Sequence, residues 1–418
     1  MNSGENLKVK RAKYEFFDSV ILIAALILSA LGILMVFSIT GMSIFNNPTG
    51  DPLSYMMHSV TGVILGILAM GTMIFVPNKL FRGKLGVLIL LGTISLLLVT
   101  LLFGHGTLAS PRVRRWLTIP SILTFQAVDL VRIGFTLSLP WLIKYLIDKK
   151  RYYSNKIAGY YLIPLAYVFL ATALVVLQPD LGSAIVVFVT GIIVFFSSGL
   201  HKKQLIFLIF VAVIAIAVLA VLGIYTLDLW FYQLDRIHVW QDPFTHERGL
   251  QTVTGFMSIA LGGWRGVGIG QSTIALGFAI EPHTDLIITI LSEELGVIAV
   301  FLVMILYLII AIKCYFTALK ARDVFSALVC IGIGSFFLAQ PFVNLGGVSG
   351  VIPLSGVALP LISYGMTSKI STFILLGIYF NMRRYILIEV EKNKEAQKQR
   401  NIEMEAEENR ILQFFPNQ

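Results

Sequence analysis

The chain has 418 residues, 57% hydrophobic and 13% charged, with a formal net charge of +9 and a mean hydropathy of +0.84. Soluble domains carry about 25% charged residues, so this composition excludes an ordinary soluble enzyme and points to a polytopic membrane protein. The basic residues sit in short links between apolar runs, which is no nucleic-acid signal, and the two cysteines, Cys314 and Cys330, fall in no outer link and imply no disulfide framework.

A spanning helix needs about 20 mainly apolar residues. The predicted fold is all-α, with ten such spans at Val20–Phe37, Met56–Val76, Leu85–Phe103, Ala127–Ile147, Ile157–Leu177, Leu181–Leu200, Leu205–Tyr225, Leu286–Ile312, Val324–Leu345 and Ser368–Leu387. Residues 1–19 form an N-terminal segment containing KVKRAK, and 20–387 form the membrane domain. The first apolar run is too long for a signal peptide and lacks a small-x-small cleavage site, so it reads as a retained helix. The links NKLFRGK, DKKRYYSNK, HKK, KCYFTALKAR and NMRR alternate with Lys-poor links, which puts both termini in the cytoplasm. The large outer loop, 226–284, joins the seventh and eighth spans; its aromatic and Gly content argues for order. Residues 388–418 form a charged tail that reads as a solvated helix.

The outer link Gly104–Phe125 breaks the charge pattern. Its SPRVRRWL holds Arg112, Arg114 and Arg115 with no acid. Arginine forks match phosphate oxygens, so the cluster suits an anionic headgroup; ordinary anionic lipid is a competing ligand. Trp116 beside it is placed as an interfacial anchor or a stacking ring. The fourth span opens with FQAVDLVR, where Asp129 and Arg132 are three apart and share a face. Intramembrane ionisable groups face the bundle interior or a wet cavity, so a cavity-lining pair and a structural ion pair are equal readings. In QPDLG, Asp180 is well placed to cap the next helix. In ALGGWRGVGIG, the glycines allow close backbone approach, either as a phosphate cradle or as a re-entrant turn.

The stretch AIEPHTDLIITILSEELGV carries acids into an apolar run. At about 100° per residue, Asp285, Thr289, Ser292, Glu293 and Gly296 fall on one side and Glu294 opposite. Glu293 then lies roughly 12 Å below Asp285, at about 1.5 Å per residue. Partial burial or a nearby phosphate would raise Asp285 from an intrinsic pKa of about 3.9 and make it a better general base; a plain helix-start carboxylate explains Asp285 but not the stripe beneath it. The last outer link, Gly347–Lys369, has two prolines and several glycines among apolar residues. It predicts ordered non-helical backbone at membrane level, which must line a cavity or be buried in protein.

Taken together, RRW, FQAVDLVR, QPDLG, GLQ, HTDL with EELG, and GVIPLSGVALPLISYG resemble the SEDS family, the FtsW and RodA polymerases of bacterial cell-wall synthesis, over roughly Val20–Leu387. The resemblance implies polymerisation of lipid II into glycan strands at the outer membrane face. It also implies a class B penicillin-binding protein as transpeptidase partner, alongside other divisome or elongasome membrane proteins. The family's essential Asp falls on Asp285. Its Glu/Lys pair falls on Asp129 and Arg132, its Pro and Ser on Ala127 and Val128, the second Gly of its S-Y-G-G on Met366, and a following apolar position on Lys369. Arg112, Arg115, Trp116, Asp129, Arg132, Gln178, Asp180, Arg248, Gln251, His283, Glu293 and Ser363 are expected to bind substrate. The expected reaction is an inverting displacement with Asp285 as base and arginines offsetting the diphosphate charge. No cofactor is called for. A divalent cation (Mg or Mn) would be an assistant only, because no carboxylate cage is evident. A transporter of lipid-linked precursor and a non-catalytic scaffold are the alternatives, but the polar features gather on one side of the membrane. The long-loop wording and the charged tail favour an FtsW-like division role over a RodA-like one.

Overall fold

The computed structural model describes residues 17–43, 52–106, 114–119, 123–149, 160–199, 236–246, 249–275 and 284–414. Its labelled helices are α1 (Ser19–Ser43), α2 (Pro52–Phe75), α3 (Asn78–Arg82), α4 (Leu85–Phe103), α5 (Ala127–Asp148), α6 (Leu162–Val176), α7 (Leu181–Phe196), α8 (Leu250–Gly262), α9 (Ile287–Leu319), α10 (Val324–Val348) and α11 (Met366–Phe414), and residues 236–241 add a short helix. Among the described residues, six helices (α1, α2, α4, α5, α9 and α10) are long and apolar enough to cross a membrane. The predicted span Leu205–Tyr225 lies outside the described residues. The all-helical expectation needs one correction. Trp116–Ile119 (β1) and Leu123–Gln126 (β2) form an antiparallel hairpin with Trp116 opposite Gln126. The Thr118 and Thr124 hydroxyls meet across it at 2.9 Å, a cross-strand polar pair of the kind that favours this register.

Small residues let the helices approach closely, as expected where packing rather than hydrophobic burial drives association. A Cβ on Gly66 of α2 would lie 2.5 Å from the Phe373 ring of α11. Asn381 closes the same seam by donating to the carbonyls of Met73 (2.7 Å) and Val76 (2.6 Å) at the end of α2. One core joins α1, α2, α9, α10 and α11; a second joins α4 to α7, and α10 packs against both α5 and α7.

The two ends of the bundle differ in chemistry. At one end Asp18 pairs with Arg383 (3.2 Å) and Lys313 (3.5 Å), and Arg82 pairs with Asp323 (2.8 Å) beneath the Tyr385 ring. At the other lie the hairpin, the α6–α7 turn, the start of α9 and the link between α10 and α11.

α9 is not continuous. Gly296 takes φ 84° and ψ 166°, and the Gly-rich segment after α8 inserts at this break. Val267 and Gly268 donate to the carbonyls of Glu293 (2.9 Å) and Glu294 (3.0 Å), while Val297 donates to Gly263 (2.9 Å). A Cβ on Gly266 or Gly296 would lie 2.2 or 2.3 Å from an opposing carbonyl oxygen, so only glycine fits on either side. The Gly-rich segment is therefore a re-entrant turn. Its Val267 and Gly268 amides, which a phosphate cradle would need, are occupied by backbone carbonyls.

α11 runs unbroken for 49 residues, roughly 73 Å at about 1.5 Å per residue, against a hydrocarbon thickness of about 30 Å. Beyond Val390 its side chains are mostly exposed, in keeping with the expected solvated tail.

Candidate active site

Asp285 sits in the turn Thr284–Leu286 that leads into α9. The Asn344 amide holds this turn by donating to the Asp285 carbonyl (3.0 Å) and to the Val357 carbonyl (2.5 Å). Ser363 ties it to the last link from the other side, donating to the Thr284 carbonyl at 2.8 Å and accepting from the Leu359 amide at 2.8 Å. Gln340 donates to the Ala358 carbonyl and Tyr307 to the Pro360 carbonyl. Side chains from α9 and α10 thus satisfy the carbonyls of a non-helical link, as backbone at this depth requires. Within Gly347–Lys369, residues 349–365 are non-helical as expected, and Ser363 has a structural partner on each side.

The link presents its backbone to two arginines. Arg115 donates to the Gly356 carbonyl (3.2 Å) and Arg236 to the Leu354 carbonyl (2.9 Å). Gly356 has φ +65°, and a Cβ there would lie 3.1 Å from Asp285 Oδ2 and 3.5 Å from Arg115 Nη1. A side chain at 356 would fill the space in which the carboxylate and the guanidinium face each other. Burial raises the Asp285 carboxyl above the ordinary Asp range; the Arg115 cation opposes this, the Asp180 charge adds to it, and Arg236 opposes it more weakly. Among the described residues the Asp285 carboxylate accepts no hydrogen bond.

Asp180 belongs to the same group. It caps α7 by accepting from the Ser183 amide (3.2 Å), and it accepts from Gln126 at 3.3 Å. A Cβ on Gly182 would collide with Val357 and Ser355, so the start of α7 is packed directly on the link that carries Gly356. The Asp129–Arg132 pair is closed at 2.9 Å, nearly fully buried, with Arg132 over the Phe336 ring at 5.4 Å. It joins α5 to α10 behind Asp180.

Several expected site residues have other partners. Glu293 is engaged by protein groups: its carboxylate accepts from Ser258 (2.7 Å), Ser272 (2.7 Å), and the Thr273 amide and hydroxyl (2.7 and 2.9 Å), with the Ile274 amide at 3.4 Å. It pins α8 and the segment after the re-entrant turn onto α9. Glu294, on the opposite side as predicted, accepts from Ser38 of α1 at 2.7 Å. Gln178 donates to the Leu97 carbonyl of α4 at 3.0 Å. Trp116 opens β1, and its indole nitrogen is buried without a hydrogen-bond partner among the described residues. Gln251 lies in the first turn of α8. Arg112, Arg248 and His283 lie outside the described residues. Among those described, no three His, Cys, Asp or Glu side chains converge as a metal site. Sequence reasoning passed over Arg236, Gln126, Asn344 and Gln340. The last two are amides within an apolar span, which is itself a signal.

A family model described as a cell cycle protein, FTSW_RODA_SPOVE, matches residues 18–386. The chain belongs to the FtsW/RodA/SpoVE family. It is accordingly a multi-pass protein of the bacterial cytoplasmic membrane. Two curated relatives, both named "Probable peptidoglycan glycosyltransferase FtsW", are from Bacillus subtilis strain 168 and Tolumonas auensis. The first is 29% identical over 383 residues, covering 90% of this chain and 93% of the relative. The second is 33% identical over 377 residues, covering 88% and 93%. The FtsW/RodA fold is also seen in a chain from a structure described as "Structural coordination of polymerization and crosslinking by a peptidoglycan synthase complex", with a TM-score of 0.71 at 24% identity over 88% of this chain and 98% of that one. The Thermus thermophilus rod shape determining protein RodA gives 0.60 at 23% identity over 88% and 97%.

Proposed function

We propose that this FtsW/RodA-family protein is a peptidoglycan glycosyltransferase that polymerises lipid II at the outer face of the cytoplasmic membrane, in cell division. The observation that carries the reading is the juxtaposition of Asp285 and Arg115 across Gly356, an acceptor for a proton beside a cation for a leaving anion. The acceptor sugar hydroxyl attacks the anomeric carbon of the donor, and the new C–O bond forms as the bond to the diphosphate breaks. The proton passes to Asp285, and the electron pair leaves with undecaprenyl diphosphate, whose charge Arg115 and Arg236 offset. A single displacement inverts the anomeric configuration.

The ten-span topology with cytoplasmic termini belongs to this reading. The end carrying Asp18, Arg82, Lys313 and Arg383 has the cations of a cytoplasmic face, which turns Asp285 outward. An apolar cavity of about 240 Å³ beside the start of α9, lined by Ile259, Ile288, Val300, Phe301 and Val348, offers hydrocarbon surroundings for a prenyl chain. The FtsW names of the relatives support the division role. The synthase-complex neighbour supports a class B penicillin-binding protein as partner.

Purified protein given lipid II in detergent should make glycan polymer, an outcome that involves no bilayer crossing and that a transporter would not give. The pH profile of that reaction should have its acid limb above the ordinary Asp pKa of about 3.9. Arg115→Ala, which removes the opposing cation, should move the limb to higher pH; Asp180→Asn, which keeps the cap but removes a like charge, should move it lower. Rates across a pH series for the three proteins measure this, and unmoved limbs would detach those residues from the base.

A further inference from the structure

Lys369 lies one turn inside α11 with its side chain wholly buried, and its ammonium nitrogen has no hydrogen-bond partner among the described residues. No carboxylate pairs with it among the described residues. A lone buried cation costs several kcal/mol of solvation and in a membrane protein marks a functional site by default. The mechanism above makes no use of it.

Its surroundings are also electropositive. Side chains in a helix run back toward the N-terminus, so Lys369 leans toward the first turn of α11. That turn concentrates the positive end of a 49-residue helix. The Lys369 amide is bonded to the Gly365 carbonyl at 3.1 Å, which leaves the amides of residues 366–368 as the orphan donors of the helix start. Gly365 to Thr367 are partly exposed, so this turn is open at its tip while Lys369 is enclosed behind it. Met366 abuts Gly62 of α2, and the Tyr364 ring lies 5.2 Å from Tyr55. The turn is therefore held rigidly between α2 and the non-helical link.

We propose that the start of α11 and Lys369 form a binding site for a phosphate group carried by a lipid, separate from the Asp285–Arg115 pair. Backbone amides at a helix start and an ammonium behind them are a recognised way to hold such an anion. The phosphate has two sources, an anionic phospholipid headgroup or a prenyl diphosphate. The site does not depend on glycosyl transfer, and its test reads stability rather than polymer.

The test is thermal unfolding of the purified full chain in dodecyl maltoside. Three additions are compared: phosphatidylglycerol, farnesyl diphosphate, and digalactosyldiacylglycerol as a phosphate-free lipid. A ligand that binds only the folded state raises the melting temperature with its concentration. Phosphatidylglycerol or farnesyl diphosphate should do so in the parent, the more effective one naming the source, while the glycolipid should not. Lys369→Met should melt higher than the parent without additions, having lost an unpaired buried charge. It should also need at least about tenfold more of the phosphate lipid for the same rise. Lys369→Arg, which keeps the charge, should retain a response. A parent unmoved by either phosphate lipid, or a Met variant that responds as the parent does, overturns the site. If Lys369→Met does not fold, Lys369→Leu and Lys369→Gln are read in the same way. Failure of all three to yield folded protein also counts against the proposal, because it would make Lys369 a structural group.

Discussion

Asp285→Asn should fold, reach the membrane and make no glycan from lipid II. Loss of a positioned general base costs about 10²–10⁴ in rate, and among the described residues no other carboxylate lies within 4 Å of the Gly356 Cβ position. The same variant should be more stable than the parent at neutral pH. Burial raises the Asp285 carboxyl in the folded state. Between the ordinary value and the raised one, the folded protein therefore holds a proton that the unfolded chain has released. Stability falls as pH rises through that window and stays lower above it. Asn removes the penalty, so its gain in melting temperature should be larger at pH 7 than in acid. Polymer yield from purified lipid II and melting curves at both pH values check the two halves. Normal polymer from the variant would remove Asp285 from catalysis, and a lower melting temperature at pH 7 would remove the account of its burial.

Glu293→Ala should be among the most damaging substitutions in the chain, although Glu293 touches no part of the proposed reaction. Its carboxylate is the common acceptor for Ser258, Ser272, Thr273 and Ile274. Each orphaned buried donor costs about 1–3 kcal/mol, so a total on the order of 4 kcal/mol or more, in the exceptional range for one mutation, is expected. Glu293→Gln keeps the volume and one carbonyl oxygen for Thr273. Its amide can face the Ser258 and Ser272 hydroxyls, which rotate to accept. Its cost should be nearer 1–2 kcal/mol, the loss of charge assistance. Folded yield and melting temperature in detergent order the series; an Ala variant with the parental melt would show that α8 and the re-entrant turn are held by other contacts.

Much of this molecule was legible in the sequence because bilayer thickness sets helix length and buried charge is costly. The spans Leu85–Phe103 and Ala127–Ile147 agree with α4 and α5 to within a residue. Asp129 and Arg132 pair as their spacing predicts, and Asp180 caps α7. The place of Asp285 at the head of a polar stripe makes it a candidate from the sequence. What spacing could not show was the break at Gly296, nor that Asp285 lies in a turn ahead of α9 while the Glu293 carboxylate is taken by Ser258, Ser272 and Thr273. The glycines that permit the break lie in two segments far apart in the chain, and only their mutual contact explains either. Arg236 was missed for a similar reason: its partner is a backbone carbonyl of the last link, which no side-chain pattern announces.

The unbroken α11 has a geometric corollary beyond the bundle. Its first turn follows directly on Ser363, which braces the turn holding Asp285, and its far end stands well beyond the bundle as one rod. Whatever grips that rod is fixed in azimuth as well as in height. Adding or deleting one residue after Val390 would swing every later side chain by about 100° without altering the membrane portion, so a docking protein that tolerates point changes on the rod should still be defeated by a frame shift of one.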